Sequence, residues 1–387
     1  MRIAINGVGV GGPTLAYWLR HFGHEPVLFE KAPELRTGGY VIDFWGLGYE
    51  IAERMGVLPE LRERGYRMER LSVVDEHGRE TAAMPLAPLR DELEGRFVSL
   101  ARGDLAATLY RACEGIPTHF ATSVVGLDHD GDGVSATLSN GTRERFDLVI
   151  GADGLHSQVR RIVFGPESTF ERHLGCHVAA FRIRDYPHRD ELVYVSHTVP
   201  TRHVSRIALR GGETLVLLVF RSELLDDGPE QDAKATLRRV FGELAWEVPE
   251  ILDCMDHEDV YFDRVSQIRM DGWTRGRVAL VGDAAACVSL LGGEGTGLAM
   301  IEAHFLAGEL HRAQGDHQLA FREYEAKLRP FLEEKQASAL RMLDFFAPKT
   351  SLRLTIRDLS IHAMAIPFLA NAILGSTVRD DLELPSY

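Results

Sequence analysis

Residues 282–297 read GDAAACVSLLGGEGTG and follow directly on the apolar run Val278 to Val281. An apolar strand that runs into a glycine and an acid, and then into a glycine-rich turn opening a helix, is a layout that holds a nucleotide in a parallel α/β fold. Such a layout is ordinary at the start of a chain. Its presence deep in the C-terminal half raises the question of what a second one is for.

The N-terminus carries the first. Arg2 to Asn6 is β-compatible, residues 7–12 read GVGVGG, and Pro13 to Phe22 has helix-forming composition, with Pro13 in the first turn where its missing N–H is not needed. A second strand, Pro26 to Phe29, ends on Glu30, with Lys31 beside it. Gly7, Gly9 and Gly12 satisfy G-x-G-x-x-G: the first permits the tight turn, the second lets backbone approach a pyrophosphate, and the third lets helix and strand pack closely. Glu30 can then accept hydrogen bonds from a ribose diol, which favours an unphosphorylated ribose and so FAD or NAD, not NADP, as resident nucleotide. Strand, turn, helix and terminal acid together outweigh a plain surface turn.

A nucleotide with an extended second half accounts for both loops. Asp283, at a strand end, suits a hydroxyl of a sugar-alcohol chain leading away from the pyrophosphate, and the glycines beyond it let backbone lie against a flat ring. The helix expected from about Gly297 to Ala313 aims its partly positive N-terminus at that ring, where reduced flavin develops an anion. NAD has no equivalent need.

The bulk properties agree with a folded small-molecule enzyme. The chain has 387 residues, 45% hydrophobic and 26% charged, enough for two domains with a large core. A formal net charge of −14 excludes a nucleic-acid surface, which needs clustered Lys and Arg. Cys113, Cys176, Cys254 and Cys287 form no CxxC pair and no metal-ligand spacing, so packed thiols in a reducing compartment are expected, with no metal. No signal-peptide pattern opens the chain, which points to the cytoplasm. Ile361 to Leu374 is apolar but shorter than the ~20 residues of a bilayer span and interrupted by Pro367, so a packed helix and no transmembrane segment is expected.

Between the glycine loops the pattern changes. Val134 to Leu138 and Arg143 to Phe146 flank Asn140-Gly141, a hairpin with a type I′ turn signal, and lead into the buried strand and glycine-flanked acid of residues 147–154, DLVIGADG. Strand candidates Leu192 to Val195, Val204 to Leu209 and Leu215 to Phe220, with Gly211-Gly212 as a turn, suggest an antiparallel sheet inserted into the α/β domain, followed by a helix at Gln231 to Gly242. Residues 317–346 are helical in pattern, with Pro330 a kink or a fresh start.

These motifs carry a resemblance. The Gly7 to Gly12 turn with Glu30, the Gly151-Ala152-Asp153-Gly154 segment, and Gly282-Asp283-Ala284-Ala285 followed by Gly292-Gly293-Glu294-Gly295 resemble the three signatures of the para-hydroxybenzoate hydroxylase family of FAD-dependent aromatic monooxygenases. Ser99 to Leu105, SLARGDL, resembles the family's arginine-bearing helix start, and Gly38 to Asp43, GGYVID, its loop before a flavin contact. Within the family the chain is most similar to the tetracycline-inactivating and polyketide-tailoring subgroup.

The resemblance implies an α/β fold: a Rossmann-like FAD-binding domain (1–71, 97–170 and 269–346), an inserted, mostly antiparallel substrate sheet (72–96 and 171–268) and a C-terminal helical segment (347–387). It places Arg36 and Arg102 at the FAD phosphates or ribityl chain, Asp43 near the flavin edge, and Asp153 in the cofactor and NAD(P)H region. Asp283, after Gly282, goes to the ribityl chain, and Gly293, Gly295 and Thr296 to the isoalloxazine ring. Two positions depart from the family: Ala286 where it usually has His, and Leu290 where it usually has Pro.

The implied reaction is reduction of FAD by NADPH or NADH, capture of O2 as a flavin C4a-hydroperoxide, and transfer of one oxygen to an aromatic or polyketide-like small molecule, by a monomer or homodimer. The cofactor carries the chemistry, so no side-chain nucleophile is expected. His173, His177, His197, His203 and Arg206 are polar candidates on the substrate side, with Phe181 and Phe220 as an apolar wall, whereas Arg210 and Arg221 read as surface charges. Rival readings are an oxidase or reductase without oxygen insertion and a non-catalytic flavin-binding scaffold. A flavin halogenase lacks its W-x-W-x-I-P stretch here.

Overall fold

The computed structural model describes residues 1–35, 38–225, 232–364 and 380–387. A six-stranded sheet forms around the first strand, Arg2–Asn6, which lies between Glu25–Phe29 and Leu148–Gly151, parallel to both. Val278–Leu280 adds in parallel beyond Leu148–Gly151. Ile3, Ile5, Leu28, Val149 and Leu280 are all almost fully buried, as the strands of a parallel sheet covered on both faces must be. Chain order reverses direction at Arg2–Asn6, and a crevice at the carboxyl end of such a strand is where open α/β sheets bind ligands. Gly7 stands there.

The Asn140-Gly141 hairpin pairs as expected, Val134 opposite Phe146 and Thr137 opposite Arg143. Its turn differs from the expected type I′, because only Gly141 of the pair has positive φ, at 85°. The Gly141 amide donates to Leu138 O and the Leu138 amide to Thr142 O, which makes a three-residue loop with a single left-handed glycine.

A seven-stranded sheet runs in the order Tyr261–Ile268, Glu171–Arg184, Glu213–Arg221, Arg202–Ala208, Val193–Val199, Arg70–Val74 and Glu80–Pro85. All its neighbours are antiparallel except Val193–Val199 with Arg70–Val74. Sequence pattern finds only the three middle strands. Helices Ala233–Phe241 and Val248–Met255 cover one face, burying Phe181, Val204, Phe220, Phe241 and Ile251 in a second core. A two-stranded ribbon, Val41–Trp45 with Phe97–Ala101, lies where this sheet meets the nucleotide fold: Tyr40 and Val41 pack against Ile207 and Leu215, and Ile42 and Phe44 lie in the main core.

His317–Ala339 is one helix with Pro330 inside it, and not two helices meeting at the proline. Arg221, read from sequence as a surface charge, is instead buried: it donates to the Ala347 and Leu343 carbonyls and pairs with Asp344 at 2.7 Å, tying the C-terminal helices to the sheet. Of the apolar run 361–374, residues 361–364 end the helix Ser351–Met364 and the rest lie outside the described residues. No helix among the described residues is long and apolar enough to cross a membrane. The last residues dock on the nucleotide fold, where the Tyr387 ring lies so close to Gly308 that any Cβ there would collide with it.

His156 joins the two sheets by bridging Glu167 at 2.9 Å and Asp263, on the strand Tyr261–Ile268, at 3.2 Å. The Asp263 hydrogen bond, followed by Glu167, lifts its pKa from 6.5 to about 9 against the pull of burial. A raised pKa gives stability that is full below pH 6.5 and lost as pH rises through about 9. The ring is nearly half exposed, so screening holds the effect to within about 1 kcal/mol. The Tm difference between wild type and His156→Gln should therefore shrink as pH rises across this window, and a constant difference would contradict the bridge.

Candidate active site

The glycines of the first turn have different tasks. Gly7 has φ of 116°, and a Cβ there would come within 2.3 Å of Ala152 O, while a Cβ on Gly12 would come within 2.0 Å of Gly7 O. Both are fixed by chain packing. Gly9 is open: the nearest atom to a Cβ there is the Arg102 guanidinium, 4.0 Å away. The helix Gly11–His21 begins with no side-chain cap and no acid in its first turn, leaving its N–H groups for an anion. Glu30 accepts from the amides of Val8 and Ala32, both at 2.9 Å, which holds its carboxylate against the turn with lone pairs to spare for a ribose. Lys31 is exposed, and Arg36 lies outside the described residues.

The second turn lies against the first. Cβ atoms built on Gly11 and on Gly282 both meet Ala299 Cβ, at 3.6 and 3.1 Å. Gly282 takes φ 64° and ψ −144°, which swings the chain from the strand Val278–Leu280 into Asp283. Burial raises the pKa of Asp283, against the pull of Arg102 and then of the Cys287 thiol and Arg160. Arg102 therefore acts on both loops, which answers why there are two: they form one elongated cradle around one guanidinium. The Cys287 thiol is pushed well above its usual range by burial and by Asp283, as befits a packed thiol.

Beyond Asp283 the loop is strained and pinned. Ser289 has φ of 129°, a region costing an L residue about 1–3 kcal/mol, and its Oγ accepts from the Leu291 amide. Leu290, where the resemblance has Pro, packs in the small cluster of Leu291 and Leu343. Two buried amides do the holding: Gln267 donates to Val288 O, and Gln336 donates to Cys287 O and Ile268 O. Neither glutamine carries a sequence signal, because both act on a loop far away in the chain. Gly293 is left-handed, at φ 73°, and the helix Gly295–Arg312 starts without a side-chain cap. Gly293 and Thr296 share a cavity with Asp43, Trp45 and Asp380.

Asp43 receives Ser99 Oγ at 2.5 Å and Tyr194 Oη at 2.6 Å on one oxygen. Burial still raises its pKa, despite those hydrogen bonds. Tyr194 stands on the seven-stranded sheet, so this contact ties that sheet to the cavity. Asp153 lies against the first glycine turn, where a Cβ on Gly7 would come within 2.9 Å of its Cα. Its carboxylate receives Asn6 Nδ2, Ser157 Oγ and the amides of Gln158 and Val159, so it caps the helix Gln158–Val163 and anchors it to the first strand.

The substrate-side residues expected from sequence are turned away. Successive strand residues face opposite sides of a sheet, and Phe181, His197, Arg206 and Phe220 share the side covered by Ala233–Phe241 and Val248–Met255. Phe181 and Phe220 lie in that second core. Arg206 is 4% exposed and bonded to Glu247 twice and to Asp190. His197 bonds to Val74 O beside Trp246. His177 stacks on Phe220, and burial lowers its pKa to about 4; His173 reaches it through Ser222. An odd number of positions along the same strands, Tyr194, Ile207 and Leu215 turn to the other side and meet Tyr40 and Val41. His203 is on that side but buried against Phe346, its pKa lowered to about 3.

A two-lobed cradle with an open glycine turn, a buried acid and two uncapped helix N-termini defines a flavin-binding oxidoreductase. Residues 2–334 match the FAD binding domain family, and the chain belongs to it. A flavin-dependent monooxygenase of Legionella longbeachae is 35% identical over the whole of this chain and 98% of its own length. An uncharacterised protein of Mycobacterium tuberculosis is 39% identical over 86% of this chain and 91% of its own. The crystal structure of the tetracycline destructase Tet(51) superposes with a TM-score of 0.85 at 30% identity, covering 100% of this chain and 99% of that one. The chain is an FAD-dependent monooxygenase, with a Rossmann-like fold carrying a mostly antiparallel sheet.

The residues present fit FAD: Gly9 and the uncapped helix offer room and N–H donors for the pyrophosphate, and Arg102 offers the countercharge. Phe220→Ala should lower stability by roughly 3–5 kcal/mol in urea unfolding, as a buried core residue does. A side chain lining the substrate would instead change KM at nearly constant stability.

Proposed function

We propose that this monooxygenase hydroxylates an aromatic or polyketide-like small molecule, using NADPH or NADH and O2. The observation that carries the reading is the meeting of the two glycine turns at Arg102, with Gly293 and Thr296 of the second turn lining a cavity together with Asp43. The tetracycline destructase, similar over its full length, supports a fused-ring substrate. Bound FAD supplies two-electron transfer from the nicotinamide and activation of O2, one oxygen atom going to the substrate and the other to water.

The protein's own part is binding, orientation and exclusion of water. Gly9, Glu30 and Arg102 hold the adenosine diphosphate half, and Asp283 takes a ribityl hydroxyl. The N–H groups at Gly295 and Thr296, left without a side-chain cap, would be available to a reduced flavin's negative charge. Tyr194, bonded to Asp43, would mark the substrate side, because Asp43 lines the cavity that also holds Gly293 and Thr296. On this division, residues 1–71, 97–170 and 269–346 hold the cofactor, 72–96 and 171–268 cover the substrate, and 347–387 brace the two. A cytoplasmic monomer or homodimer suits such a cofactor-dependent enzyme.

Substrate-stimulated NADPH or NADH oxidation, run under 18O2 with tetracyclines and simple phenols, tests the reading. One labelled oxygen per product is expected, and Arg102→Met should weaken FAD binding by about tenfold or more through loss of a charge-assisted contact. Substrate turnover with hydrogen peroxide formed and no label in the product would overturn it.

A further inference from the structure

Beneath the second glycine turn lies a carboxyl group that the proposed chemistry does not use. Glu302, on the helix Gly295–Arg312, is 1% exposed. Its Oε2 receives the Gly282 amide at 2.8 Å and lies 3.1 Å from Tyr324 Oη. Tyr324 Oη, itself fully buried, lies 3.0 Å from Leu280 O. Leu280 O can only accept and Tyr324 has one proton for two contacts, so both are hydrogen bonds only if that proton goes to Leu280 O. The Tyr324–Glu302 contact then needs a proton from Glu302.

We propose that Glu302 is a positioning residue for the cofactor: it stays protonated, donates to Tyr324 Oη, and holds the Gly282 amide so that Asp283 is aimed at FAD. This rests on the reading of Asp283 as a cofactor-binding residue.

Three observations converge on it. No cation bonds to or pairs with Glu302 in any contact of the described residues, and the charged group that acts on it is Asp283, a like charge. Burial, first, and then Asp283 drive its pKa well above the carboxylate range, against the hydrogen bond from the Gly282 amide. Gly282 is held at a backbone conformation suited to glycine, with its amide buried, and that turn sets the direction in which Asp283 leaves the strand. An ionised carboxylate here would add a second negative charge beside Asp283, in a site whose cofactor becomes an anion when reduced. A carboxylic acid supplies the hydrogen bond without the charge.

The experiment compares wild type, Glu302→Leu, Glu302→Gln and Asp283→Ala by FAD titration of the apoprotein, flavin midpoint potential and infrared difference spectroscopy. Glu302→Leu should weaken FAD binding about tenfold, since the Gly282 amide loses its acceptor. Glu302→Gln, neutral and with a carbonyl for that amide, should restore binding to within about threefold and leave the midpoint potential unchanged. The wild type should show a protonated-carboxyl band that the Gln variant lacks. A Gln variant as weak as Leu, a midpoint potential shifted by Gln, or no such band in wild type would overturn the proposal. If the Leu variant does not fold, the Gln variant and the infrared band decide alone. Unaltered FAD affinity in Asp283→Ala would overturn the assignment of Asp283 and the positioning role with it, whereas weak binding there together with an absent carboxyl band would overturn the Glu302 claim only.

Discussion

Close approach of backbone to backbone at Ala299 is the constraint on which the site depends. Gly11 and Gly282 both abut that one small side chain, and Gly48 lies against Gly297, where a Cβ would fall 2.5 Å from the Gly297 Cα. Interiors are packed densely enough that one added methyl group at such a crossing is felt. The two helix N-termini can converge on a single ligand because these crossings carry almost no side-chain volume, and Arg102 can then act on both loops at once.

The electrostatics of the cradle follow from the same compactness. Asp43, Asp283 and Glu302 are all pushed by burial toward the neutral acid, although the chain as a whole is strongly acidic. Ionised carboxylates crowded around a group that gains electrons would oppose reduction. Hydrogen bonds from Ser99, Tyr194 and the Gly282 amide, and the charge of Arg102, decide how far each acid is drawn back toward ionisation. The acids are thereby separated into different roles by their surroundings rather than by residue type.

The seven-stranded sheet shows how little a strand pattern says about which face does what. Its three middle strands are visible as alternating runs, yet Phe181, His197, Arg206 and Phe220, which look like a polar and aromatic substrate wall, belong to the side closed by two helices. A shift of one residue exchanges the faces, and in a sheet buried on both sides hydrophobicity does not choose between them. Arg221 misleads for a related reason: a guanidinium reads as surface until three partners from the C-terminal helices are brought to it.

The sequence by itself determined the nucleotide fold and its cofactor class, because glycine spacing, a preceding strand and a terminal acid are local: each acts on atoms within a few residues of itself. The turn from Gly7 to Gly12, the place of Glu30 against it and the turn at Gly282 were legible for that reason. Only the tertiary structure decided that Asp153 is a helix cap, that Gln267 and Gln336 hold the flavin loop, that Tyr194 rather than His197 faces Asp43, and that Glu302 lies under Gly282. Each of those depends on which distant segment is packed opposite, and in a buried site the partner across the contact, not the residue's own type, fixes its proton, its direction and its task.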